Sequence, residues 1–129
     1  MKHAENVRFE KWKPPHFPHW DHDFRFDVEN VSVSNGYLNI FLNSSDRNSD
    51  FHIKWQYSDV ISYSVCDETY RADCWKFDFN TDGRFFIVKD SEYLEMIKIK
   101  SPLVPENTIH FLIVGTNTIV DVLAKDYPI

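Results

Sequence analysis

Between Phe51 and Cys66 the chain alternates apolar and polar residues in two successive runs. Phe51, Ile53, Trp55 and Tyr57 are interleaved with His52, Lys54 and Gln56, and Ile61, Tyr63 and Val65 with Ser62, Ser64 and Cys66. A helix would scatter residues spaced by two around its axis, whereas a strand sets all of them on one face. The stretch therefore predicts two strands, each with one buried face, in the middle of a sheet, with Trp55, Tyr57, Ile61 and Tyr63 in the core. The second run ends in Asp67, Glu68, Tyr70 and Arg71, a polar cluster that a strand delivers to the rim of its sheet.

The remaining sequence agrees with a β-rich chain. Eleven Phe, 6 Tyr and 4 Trp in 129 residues favour pleated, half-buried surfaces. A chain of this length forms one domain, residues 1–129, and buries enough surface to need neither disulfide nor metal. The formal net charge is -6, without a lysine or arginine run, which disfavours nucleic acid and anionic membranes as partners. The opening residues, MKHAENVRFEKWKPP, contain no apolar signal core, so a cytoplasmic location is expected. In a reducing compartment Cys66 and Cys74 are most simply free thiols.

Local signals divide the chain further. Residues 1–23 form a Pro-, aromatic- and His-rich arm, expected to be irregular because Pro14, Pro15 and Pro18 remove ladder donors; Trp12, Phe17 and Trp20 pin it to the domain. The apolar phase changes between Val28 and Val31, which predicts a bulge near Glu29 and Asn30. Asn35-Gly36 then closes a hairpin onto Tyr37–Asn43. A second hairpin is expected where Asn80-Thr81-Asp82-Gly83 separates Trp75, Phe77 and Phe79 from Arg84–Val88. Asp90 is the expected N-cap of a short helix from Ser91 to about Ile99, before Pro102 and Pro105. Ile109–Val114, apolar on both faces, reads as a central strand paired through Gly115-Thr116-Asn117 with the strand that follows. The fold class is α+β: mainly antiparallel strands in a curved sheet or partly closed barrel, with one short helix.

Few residue patterns suggest chemistry. His16, His19 and His22 could supply metal ligands only if a proline-broken stretch turned all three rings to one point. Asp78, Asn80, Asp82 and Gly83 imitate half of a calcium loop, but Lys89 stands where the bidentate glutamate belongs. A three-residue loop would place His110 and Asp121 on opposite faces of their hairpin, so no catalytic dyad is expected, and no nucleophile or phosphate-loop motif occurs. No cofactor is implied. Asp67, Glu68, Tyr70, Arg71 and Asp73 form the candidate partner-binding surface, where Tyr and Arg supply anchors and carboxylates complement a cationic partner.

Three segments, VISYSVCDETYR, VKDSEYLEMI and IHFLIVGTNTIVDVLAKDYPI, carry a resemblance. An aromatic strand ends in Asp67-Glu68, a helix starts at Ser91 with Tyr93, and the closing segment reads His110-Phe111-Leu112-Ile113, Asp121-Val122-Leu123 and Pro128. This resembles the small acidic immunity proteins of bacterial polymorphic and contact-dependent growth inhibition toxin systems, over the C-terminal two thirds of the chain. The resemblance implies a non-enzymatic protein that binds and neutralises a cognate toxin domain, basic where the toxin is a nuclease; it assigns no binding residue. The alternative is a metal- or small-ligand-binding β domain using the N-terminal His and aromatic arm.

Overall fold

The computed structural model describes residues 8–17, 25–44, 49–75 and 84–129. These form strands β1 (Arg8–Lys11), β2 (Asp27–Ser34), β3 (Tyr37–Ser44), β4 (Ser49–Gln56), β5 (Val60–Asp67) and β6 (Phe85–Lys89), helix α1 (Glu92–Lys100), and strands β7 (Ile109–Val114) and β8 (Thr118–Ala124). All pairings are antiparallel. One sheet has the order β1-β6-β7-β8-β5 and the other β2-β3-β4. Neither closes into a barrel, so the architecture is α+β with open, mainly antiparallel sheets.

The two sheets share a core. Leu38, Ile40, Leu42, Ile53 and Trp55 of the smaller sheet pack with Phe85, Ile87, Phe111, Ile113, Val120 and Val122 of the larger one. A second cluster, Phe86, Val88, Leu112, Val114, Ile119 and Cys74, covers the opposite face of the larger sheet. Its strands β6, β7 and β8 are therefore buried on both sides, as apolar runs interrupted only by His110 and Asp121 require. Trp12 lies across the seam between the sheets, with ring centroids 6.4 Å from Trp55 and 5.1 Å from Phe111.

Several local expectations hold. Asn35 and Gly36 have φ of 54° and 82°, the pair of left-handed residues that a type I′ hairpin needs. The register of β2 on β3 slips between Val28 and Asn30, which is the expected bulge.

Others are corrected. Residues 8–11 of the arm are not irregular: they form edge strand β1 beside β6. Strand β6 pairs with β1 and β7; the turn and first strand of the second expected hairpin, and the half calcium loop with them, fall on residues 76–83, which lie outside the described ones. Asp90 does not cap the helix. Its φ is 56°, and Ser91 takes the cap, accepting the Leu94 N–H at 3.0 Å. The alternating stretch does not run through the middle of a sheet either. Strand β4 is an edge of the smaller sheet and β5 an edge of the larger, with a 3-10 turn at Tyr57–Asp59 between them. Trp55 is fully buried, but Tyr57 and Tyr63 are 47% and 38% exposed and Ile61 is half-buried. Tyr63 and Val65 sit opposite Val122 and Val120, on the face of the sheet that bears the main core. At the edge of the five-stranded sheet they extend past what the three-stranded sheet covers.

Candidate functional site

Beyond β5 the chain makes two consecutive 3-10 turns, Glu68–Tyr70 and Ala72–Cys74. Asp67 starts them by accepting the Thr69 N–H at 2.9 Å, and this bond holds its carboxyl below the usual carboxylate range. The turns are tied to the β7–β8 loop through Glu68 N–H to Asn117 O, 2.9 Å, and closed on themselves through Trp75 Nε1–H to Glu68 O, 2.9 Å. Such short turns owe their rigidity to these ties rather than to length.

Arg71 anchors them to the sheet. It donates Nε–H and an Nη2–H to the two carboxylate oxygens of Asp73, each at 3.0 Å, and also hydrogen-bonds Asp121. Burial works against the guanidinium charge, but the hydrogen bonds to Asp73 and Asp121 outweigh it and hold the Arg71 pKa above its ordinary value. For Asp73, burial acts to raise the carboxyl, and the Arg71 hydrogen bond and charge overcome this and lower it. Burial, reinforced by the Asp73 charge, pushes the Cys74 thiol up to about 12; Cys74 and Cys66 are both unpaired.

From Asp121 the chain of contacts continues inward. His110 Nε2 lies 2.7 Å from Asp121 Oδ1, and His110 Nδ1 lies 2.6 Å from Ser91 Oγ, the cap of α1. Tyr93 on the same helix sets its ring edge against His110 and its hydroxyl 2.6 Å from Ser62 of β5. The expectation that His110 and Asp121 face apart is thus overturned. Val114 pairs with Ile119, and the Gly115 N–H donates to Thr118 O at 2.8 Å, so four residues rather than three separate the paired strands. That one extra residue restores the parity and puts His110 diagonal to Asp121 on the outer face.

Serine, histidine and aspartate in hydrogen-bonded series suggest nucleophilic catalysis, but the bonding pattern gives the serine other work. Ser91 Oγ accepts the Leu94 N–H, contacts Nδ1 of the ring and belongs to a residue only 5% exposed. The series fastens helix α1 and the 3-10 turns to one face of the sheet, beside a cavity of about 240 Å³ lined by Arg71, Asp73, Ser91, Tyr93, His110 and Asp121 among others.

Of the five expected partner-binding residues, Asp67, Tyr70 and Asp73 are exposed, Tyr70 at 79%. Glu68 is half-buried. Arg71 is turned inward onto Asp121 and Asp73, so it positions the surface instead of anchoring a partner. Sequence reasoning missed Trp75, which is 60% exposed and follows directly after the second turn. Its alternation with Phe77 and Phe79 reads as a strand instead. Of the histidine arm, His16 is exposed in a turn with φ 63°, and His19 and His22 lie outside the described residues. No group of potential metal ligands converges among the described residues. Set against protein-family models, curated proteins and solved structures, the chain finds no match.

Proposed function

We propose that this protein is a stoichiometric protein-binding inhibitor, an immunity protein that neutralises a cognate bacterial toxin domain by docking the surface formed by β5 and the turns after it. The observation that carries the reading is the exposure of Tyr70 and Trp75 beside Asp67, Glu68 and Asp73, on turns tied to the sheet. Exposed aromatic rings on mobile loops lose conformational freedom when a partner binds; held in advance by the Arg71–Asp121–His110–Ser91 series, they lose little. Tyrosine and tryptophan are also the side chains on which binding energy concentrates at protein interfaces. The net charge of -6 favours a basic partner. The resemblance of Asp67-Glu68, Ser91 with Tyr93, and the closing segment to immunity proteins supplies the biological class.

Two linked observations test this. The gene should follow directly after a gene for a large toxin, and the toxin's C-terminal domain, co-expressed with this protein, should lose its toxicity and co-purify with it one to one. Asp67→Asn, which keeps an acceptor for the Thr69 N–H, combined with Glu68→Lys should weaken that complex. A toxin domain that remains lethal in the presence of this protein sinks the proposal.

A further inference from the structure

Among the described residues the two sheets have four edge strands, and three of them are protected against further pairing. Strand β1 is short, and three of its four residues, Arg8, Glu10 and Lys11, are charged. Strand β2 carries Asp27 and Glu29 and is broken by the bulge after Val28. Strand β4 bears Asp50, His52 and Lys54, and its Lys54 carbonyl already accepts the Ile129 N–H at 2.9 Å. Charges, bulges and covering segments are the means by which natural sheets block edge-to-edge addition.

Strand β5 has little of this protection. Its eight residues, VISYSVCD, contain no proline and no charge before Asp67; the one irregularity lies at its start, between Val60 and Ser62. From Ser62 onward it runs in regular register with β8 on one side, and no described strand pairs with the other. Tyr63 and Val65, 38% and 49% exposed, stand on the apolar face of that open edge.

We infer that β5 is the site at which the partner adds an extended strand to the five-stranded sheet. The inference rests on the proposed docking function and specifies the partner's conformation and charge. Main-chain hydrogen bonds along an open edge supply affinity, and the side chains on alternate positions supply specificity. The charges around β5 decide between a second copy of this chain and a foreign segment. Asp59 precedes the strand, and Asp67 and Glu68 end it. Antiparallel self-pairing would set the Asp59 end of one copy against the Asp67–Glu68 end of the other, twice over, and like charges facing across strands destabilise a pair. A foreign strand with Lys or Arg at both ends, about 26 Å apart at the rise of a strand, and β-branched or aromatic residues between them, meets the acidic ends favourably.

The test selects binders from a displayed library of random twelve-residue peptides on the whole protein, then locates each binder by amide hydrogen exchange. The expected peptides carry basic residues flanking an alternating apolar centre. They slow exchange between Ser62 and Cys66 and lose affinity by about tenfold or more against Val65→Lys, which places an unpaired charge on the edge. Tyr63→Lys provides the same reading if that variant fails to fold. Peptides that protect Glu68–Trp75 but not β5, and bind the lysine variants unchanged, overturn strand addition while leaving the docking function standing. Selection that yields no binder overturns strand addition; a toxin domain that stays lethal beside this protein overturns both. A free protein that dimerises with protection of its β5 amides, or selected peptides with acidic flanks, shows that the occupant is wrong.

Discussion

Asp121 joins the turns after β5, through Arg71, and the cap of α1, through His110, to strand β8, and a buried carboxylate is stable only while its partners remain. Its side chain is 5% exposed, and it faces Arg71, 20% exposed, and His110, 6% exposed. Asp121→Asn keeps an oxygen for His110 Nε2 but sets an amide NH2 against Arg71 in place of the carboxylate oxygen, removing both the charge and that acceptor. A buried pair that loses one partner costs about 3–5 kcal/mol; since Asp73 still contacts Arg71, the low end, about 3 kcal/mol, is expected from urea unfolding. Asp73 behaves differently because its side chain is 49% exposed. Its carboxyl pKa is lowered in the folded protein, so its contribution is present above the ordinary value of about 3.9 and is lost as pH falls through the lowered one. Asp73→Asn should therefore destabilise the protein by no more than about 1 kcal/mol at neutral pH. In unfolding curves taken down to acid pH, the gap between variant and native protein should close below the ordinary carboxylate range.

At the level of elements, the sequence was legible wherever a local pattern dictates a local geometry. Asn35-Gly36 announces its hairpin because both residues tolerate positive φ, and the phase change between Val28 and Val31 announces the bulge. Period two located β4 and β5 but could not say which face of β5 is covered, since cover depends on the width of the other sheet. Tyr63 and Val65 point to the core side yet overhang it, and that is the origin of the candidate surface. Arg71 and Asp121, fifty positions apart, are brought together only by the register of β5 on β8 and by the course of the turns. The His110–Asp121 contact was missed by a single loop residue at Gly115. That glycine is required by space: a Cβ there would lie 2.7 Å from Asp27 Oδ1, 2.8 Å from the Thr118 carbonyl oxygen and 3.2 Å from the Val28 nitrogen. The Asp27 side chain could rotate, but it bonds the Asn117 N–H at 3.0 Å, and the Thr118 oxygen is fixed by its bond to Gly115. Gly115→Ala should thus cost about 1–3 kcal/mol of stability in thermal or urea unfolding and, by shifting the loop, disturb the chemical shifts of His110 as well as those of Asp27.

For the whole molecule, charge and shape act on different steps of the proposed binding. A net charge of -6 acts at a distance and speeds encounter with a basic partner, whereas Tyr63, Val65, Tyr70 and Trp75 act only once surfaces touch. Screening separates the two, because the Debye length falls from about 30 Å at 0.01 M salt to about 8 Å at 0.15 M. With a basic toxin domain immobilised, raising salt across that range should lower the association rate of the native protein markedly and change its dissociation rate little. Asp67→Asn combined with Glu68→Lys should reduce both the association rate and its salt dependence, since the lost carboxylates lie on the side that approaches. Val65→Lys should act mainly on dissociation, because the edge of β5 pairs only in the formed complex. If Val65→Lys instead slowed association alone, strand addition at β5 would not be what holds the complex together, and the acidic turns would have to account for its stability as well as its speed of formation.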